Sequence, residues 1–261
     1  MRVWFVTGAS SGFGLEISRQ ALDRGDAVVA TARRPQLAAA ALDAPRDRLA
    51  VVPLDVTSEP AARAAVERAL EAFGRIDVLV NNAGRGLFGA VEETTLGDAR
   101  ALFEPNVLGV LAVTRSVLPV MRRQRSGRIV MMSSMGGFSS GAGFGVYAAS
   151  KFAVEAIGEA LAEELAPFGV RVTIVQPGVF ETGFAVSSSE KASEPIAAYA
   201  PAGDTVEQYD DGVPGGDPAA AAAAIVGLAD REDPPLRLPL GEDAVARIRA
   251  KAEAVLAGLA P

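Results

Sequence analysis

Short apolar runs spaced by helix-length segments constrain this chain more than any single residue. The runs are 3–6 (Val-Trp-Phe-Val), 27–31, 49–54, 76–80, 129–132 and 170–175. Strands buried on both faces read as continuous apolar stretches, and consecutive parallel strands need a crossover long enough to hold a helix. The rhythm therefore predicts an α/β fold: a doubly wound parallel sheet with helices on both faces. A helix over about 219–229, a short strand at 237–240 and a last helix over about 243–258 complete the pattern. With 261 residues, 49% of them hydrophobic, the chain can bury a full core as a single domain.

Local signals agree with that frame. The first helix, about 14–24, carries Leu15, Ile17, Ala21 and Leu22 near one face and stops at Gly25, a suitable C-terminal cap. Ser58 can cap the helix that follows the third strand, with Glu59 and Pro60 in its first turn. Arg122, Arg123 and Arg125 read as cations closing a helix rather than as a binding patch. From about 184 to 218 the periodicity dissolves into Ser, Pro, Gly and acidic residues around Ile196, Tyr199 and Tyr209, which reads as an active-site lid. No repeat or linker divides the chain.

Composition excludes several classes of function. There is no cysteine, which removes disulfides, zinc–thiolate sites and thiol catalysis, and there is no histidine, the usual general base and metal ligand. A net charge of −7 and a pI near 4.9 argue against a nucleic-acid partner. The apolar stretch 219–229 is too short to span a bilayer, so no membrane is expected. An apolar run within three residues of Met1 leaves no room for a secretion signal, and a cytoplasmic location is the expectation.

Two motifs carry chemistry. Thr7-Gly8-Ala9-Ser10-Ser11-Gly12-Phe13-Gly14 follows the first strand and opens a helix. It contains G-x-S-x-G, the elbow of many serine hydrolases. Such a serine needs a histidine partner, and this chain has none. The remaining readings are a purely structural turn or a phosphate cradle, in which small residues let backbone N–H groups and the helix dipole meet a pyrophosphate. The second motif is Tyr147-Ala148-Ala149-Ser150-Lys151. Tyr147 and Lys151, four apart on a helix, share a face, so an ammonium can stabilise a phenolate and lower the tyrosine pKa. Lys151 is one of three lysines in a chain whose other basic residues are all arginine. A surface helical pair is the plain alternative.

These motifs resemble those of the short-chain dehydrogenases/reductases, in their single-domain branch. Further matches are Asp55-Val56 after the third strand, Asn81-Asn82-Ala83-Gly84 after the fourth and Asn106 in Asn-Val-Leu-Gly. Ser133-Ser134 follows the fifth strand, and Pro177-Gly178 with Thr182 follows the sixth. The resemblance implies one NAD(P)-binding Rossmann-type domain over 1–261, with a sheet of about seven strands in the order 3-2-1-4-5-6-7 and a lid at about 184–218. It implies Tyr147 as general acid/base and Lys151 as the group that lowers its pKa and holds the nicotinamide ribose. Ser134, preferred to Ser133 by its spacing from the tyrosine, would bond the substrate oxygen, and Asn106 would hold a water linking Lys151 to solvent. Gly8, Ser10, Ser11, Gly12, Phe13 and Gly14 would take the pyrophosphate, and Asp55 and Val56 the adenine. Asn82, Ala83 and Gly84 would line its ribose, and Pro177, Gly178, Val179 and Thr182 the nicotinamide. Family members are commonly homodimers or homotetramers. Pro105, directly before Asn106, implies a kink there.

An acidic residue at the end of the second strand binds the ribose hydroxyl of NAD, whereas a cation accommodates the phosphate of NADP. Here the acidic position falls on Ala32, followed by Arg33 and Arg34, so NADP(H) is expected, the alternative being two solvated arginines. Met135, Phe138, Phe144, Val146, Phe180, Phe184 and Tyr199 suggest a largely apolar carbonyl/alcohol substrate. The rival is a non-catalytic NADP(H)-binding sensor or scaffold of the same fold, with a dehydratase or epimerase behind it.

Overall fold

The computed structural model describes residues 1–182, 189–200 and 215–259. Its strands are β1 (Val3–Thr7), β2 (Ala27–Ala32), β3 (Leu49–Pro53), β4 (Val78–Asn81), β5 (Gly86–Phe88), β6 (Gly127–Met132), β7 (Val170–Pro177), β8 (Ser189–Lys191) and β9 (Arg237–Leu240). Seven form one parallel sheet in the order β3-β2-β1-β4-β6-β7-β9. That is the expected 3-2-1-4-5-6-7 order once β5 and β8, which pair with each other, are set aside.

Alternate residues of each central strand feed two cores. Val3 and Phe5 pack on one side with α3 (Glu59–Phe73), α5 (Gly109–Gln124) and α6 (Gly145–Leu165) through Ala62, Val66, Val113, Val117 and Val154. Trp4 and Val6 pack on the other with α1 (Gly12–Asp23), α2 (Pro35–Ala41) and α7 (Pro218–Gly227) through Ile17, Ala21, Ala38 and Ile225. A strand covered on both faces cannot alternate polar and apolar residues, which is why these runs are continuously hydrophobic.

Polar side chains fix the strand ends. Asp26 accepts the Trp4 indole N–H at 3.0 Å and the Arg2 amide at 2.9 Å, while Asp77 accepts the Val3 amide at 2.9 Å. Ser58 caps α3 by accepting the Ala61 amide, and Gly74 closes it with φ 73°.

The kink expected at Pro105 is a π-turn. After α4 (Leu96–Phe103), residues Glu104–Leu108 wind as a π-helix before α5 begins. Proline offers no N–H to the preceding turn, and the wider turn absorbs the missing bond. Together these segments make Leu96–Gln124 the one helix among the described residues long and apolar enough to cross a membrane. The apolar face of Leu96–Gln124, with Val110, Val113, Val117 and Met121, is buried in the core.

Only part of the segment expected as a lid is described. Ser189–Lys191 pairs with β5, and carboxylates of the facing segment hold Ser193 and Ile196 just beyond it. Asp98 accepts from the Ser193 amide and hydroxyl at 3.3 and 2.6 Å, and Glu93 accepts the Ile196 amide at 2.8 Å. Hydrogen bonds from Ser193 and Thr95 pull the Asp98 carboxyl down to about 2. The remainder of 184–218, with Phe184 and Tyr209, lies largely outside the described residues.

Candidate active site

The strand order reverses between β1 and β4, and there a cleft of about 620 Å³ opens at the carboxyl ends of the strands. Thr7 builds its floor. Its hydroxyl donates to the Val80 carbonyl at 3.2 Å and accepts the amides of Asn82 (2.9 Å) and Ala83 (3.0 Å). The Asn82 side chain then donates to the Thr7 and Gly8 carbonyls at 2.9 and 3.2 Å. Gly8 and Gly12, at φ 67° and 52°, hold backbone that only glycine adopts easily. The α1 N-cap residue, Ser11, makes no capping bond with its side chain, and α1 starts at the cleft. A strand end, a glycine cradle and a helix N-terminus together fit a pyrophosphate.

Of the residues expected to hold a dinucleotide, Gly8, Ser10, Ser11, Gly12, Phe13, Arg33, Arg34, Asp55, Val56, Asn82, Ala83, Gly84, Pro177, Gly178, Val179 and Thr182 line this cleft. Gly14 does not. A Cβ on it would stand 2.3 Å from the Gly8 carbonyl oxygen and 2.5 Å from Asn82 Nδ2, so it permits the close approach of α1 instead of facing a ligand. Asp55 accepts the Thr57 hydroxyl and amide at 2.8 and 3.0 Å. Those bonds, with Arg33 adding a smaller effect, hold its carboxyl below the ordinary range.

Ser134, Tyr147 and Lys151 meet at the other end of the same cleft. Both serines line the cleft and differ in their hydroxyls: that of Ser133 is buried and unpartnered, whereas that of Ser134 hydrogen-bonds Tyr147. Lys151 donates to the Met132 carbonyl at 2.9 Å, with its ammonium 5.8 Å from the Tyr147 ring centroid.

Burial dominates the electrostatics of this pair. It pushes the Lys151 ammonium down to about 8, and it pushes Tyr147 up to about 12 against the opposing bond from Ser134. The lowering of the Tyr147 pKa expected from Lys151 is therefore not the outcome here, because desolvation of the phenolate outweighs the one opposing cause, the bond from Ser134. With its pKa raised, Tyr147 is held in the proton-carrying form needed by a general acid.

Asn106 lies just behind, 1% exposed and outside the cleft lining. Its side chain accepts the Arg85 amide at 2.8 Å and donates to the Arg85 carbonyl at 2.9 Å and to Ser150 at 3.1 Å. A Cβ on Gly84 would lie 3.0 Å from Asn106 Oδ1 and 3.7 Å from Lys151 Nζ, so both residues flank one glycine. In this arrangement the Asn106 amide clamps the π-turn to β5 and α6.

Of the apolar candidates, Met135, Phe144 and Phe180 line the cleft. Phe138 and Val146 do not, and Tyr199 donates instead to Glu92 at 2.6 Å on the surface. Sequence reasoning missed Phe88, which stacks edge-on with Phe144 and Tyr147, and Arg247 of the last helix, α8 (Glu242–Leu259). No motif marks either residue; Arg247 arrives through packing across more than 90 residues.

Among proteins of known family, a model described as short chain dehydrogenase matches residues 2–193. The chain belongs to the short-chain dehydrogenase family. Within it, oxidoreductase BOA17 of Botryotinia fuckeliana is 39% identical over 247 residues, covering 94% of this chain and 90% of that protein. A short-chain dehydrogenase from Streptomyces avermitilis superposes with a TM-score of 0.92 at 45% identity, over 99% of this chain and 96% of the other. Another, from Burkholderia phymatum and solved in complex with NAD, gives 0.85 at 27% identity over 100% and 96%. These matches place the chain in an oxidoreductase family with an NAD(P)-binding Rossmann fold.

Proposed function

We propose that the protein is an NADP(H)-dependent oxidoreductase interconverting a ketone or aldehyde and an alcohol on a largely apolar small molecule. The observation that carries this reading is the placement of Ser134, Tyr147 and Lys151 in the cleft that also holds the glycine cradle. A protein that only sensed the dinucleotide would need the cradle but not the triad.

The bound nicotinamide supplies or accepts the hydride. In the reducing direction Ser134 donates a hydrogen bond to the carbonyl oxygen and Tyr147 delivers the proton. The Lys151 ammonium lowers the cost of the phenolate that Tyr147 becomes. The balance is carbonyl plus NADPH plus a proton to alcohol plus NADP⁺. Orientation in one cleft and preorganised donors supply the rate.

The phosphate preference rests on Arg33 and Arg34, which line the cleft beside Ala32 where an acidic residue would bind a ribose hydroxyl. The Burkholderia phymatum protein carries NAD; the arginine pair here favours NADP. A homodimer or homotetramer is the setting that fits the family resemblance, and a reducing cytoplasm fits a chain without cysteine. The purified protein, incubated with NADPH and a panel of apolar ketones, should consume NADPH in proportion to alcohol formed. Tight NADPH binding without turnover of any ketone would favour the sensor.

A further inference from the structure

The substrate end of the cleft contains a cation that no strand supplies. Helix α8 begins against the nicotinamide side of the cleft, where Asp243 accepts the Val179 amide at 2.8 Å. The helix packs on the Met135–Gly137 turn that follows Ser134. One helical turn after Asp243, Arg247 enters the cleft lining. Its guanidinium lies over Gly141, so close that a Cβ there would stand 2.7 Å from Arg247 Nη2. The turn and loop 135–144 therefore carry, in order, a wall beside Tyr147 at Gly136, the Arg247 guanidinium at Gly141, and Phe144 against Phe88.

We propose that Arg247 determines specificity by selecting carbonyl substrates that carry a carboxylate, a claim that rests on the oxidoreductase reading of the same site. With the carbonyl oxygen at Ser134 and Tyr147, a substituent passing Met135 and Gly136 reaches the guanidinium. A planar carboxylate matches its fork of N–H donors, and five donors can serve a substrate alongside a protein partner. Met135, Phe144 and Phe180 line the same cleft, and apolar walls strengthen such a bond by excluding water. The substrate is then an apolar body with an anionic end, not an apolar ketone alone.

The test uses a series of aryl keto acids of increasing chain length, each beside its methyl ester. Turnover with NADPH gives the acid-to-ester ratio of kcat/KM, and calorimetric titration of each compound into the protein saturated with NADP⁺ gives the ratio of affinities. In the unmodified protein both ratios should favour the acid and peak at one chain length. Arg247→Met should lower them about 10- to 100-fold, the worth of a charge-assisted hydrogen bond, and Arg247→Glu should make the ester the better ligand. Ratios unmoved in both variants, or no preference for any acid in the unmodified protein, would overturn the assignment. Ester turnover with unmoved ratios sinks only Arg247. Acid-selective binding that depends on Arg247, without turnover of any compound, supports Arg247 and sinks the oxidoreductase reading.

Discussion

Replacing Gly14 by alanine tests whether the cofactor loop depends on close packing. Alanine is the better helix former by about 1 kcal/mol, so propensity alone predicts a more stable protein. The structure sets a larger cost against this gain. The new methyl would stand 2.3 Å from the Gly8 carbonyl oxygen, about 1 Å inside an ordinary carbon–oxygen contact. It would also stand 2.5 Å from Asn82 Nδ2, which is tied to the Thr7 and Gly8 carbonyls. Relief requires α1 to withdraw by about 1 Å or Asn82 to give up bonds worth about 1 kcal/mol each.

Overpacking of this kind costs up to ~3 kcal/mol. The net destabilisation should be ~2 kcal/mol, which lowers Tm by about 4–8 °C in a chain of this size. Withdrawal of the α1 amides should also weaken NADPH binding at least about tenfold. Gly227→Ala is the control. That glycine is helical with φ −62° and nothing within 4 Å of its Cβ position, so the same change should stabilise by up to ~1 kcal/mol. Differential scanning calorimetry and fluorescence titration with NADPH read both effects. If Gly14→Ala matches the parent in Tm and NADPH affinity, close packing is not what the loop requires.

Tyr147→Phe should abolish most turnover while NADPH affinity stays near the parent value; retained turnover would remove the acid/base role from Tyr147. Arg33→Ala should shift the NADPH-to-NADH ratio of kcat/KM about tenfold or more toward NADH, and an unchanged ratio would refute the phosphate reading. Carbon-13 titration of the lysine Cε resonances in the dinucleotide-free protein should show one lysine near pH 8, absent in Lys151→Arg; all three near 10.4 would refute the desolvation of Lys151. Because the folded pKa of Lys151 lies below its unfolded value, folding releases its proton. Its destabilising contribution should be complete below pH 8 and fade as pH rises toward 10.5, so that stability from this group climbs across that window.

Continuous apolar runs announced strands covered on both faces, and helix-length spacers announced parallel crossovers, because both follow from chain-local geometry. The capping serine at Ser58 and the proline-disturbed turn before Asn106 were legible for the same reason. The turn's π form was not, because neighbouring segments select how the missing bond is absorbed. Among cleft residues, the motif residues on β1–α1 and α6 could be named in advance. Gly14 was misassigned to the ligand side, since a glycine that admits a ligand and one that admits a neighbouring backbone look alike in sequence.

By itself the sequence determined the layered sheet, the glycine-rich turn after β1 and the placement of Tyr147 and Lys151 one helical turn apart in a chain without histidine. These depend on residue type and spacing along one strand or helix. Tertiary structure alone set the hydrogen bond between Ser134 and Tyr147, and it reversed the expected direction of the Tyr147 shift, because burial is a property of what the whole fold places around a group. It also brought Arg247 of the last helix to the loop before α6. That contact joins residues more than 100 positions apart, and no local pattern encodes where an α8 side chain will point once its helix docks at Val179.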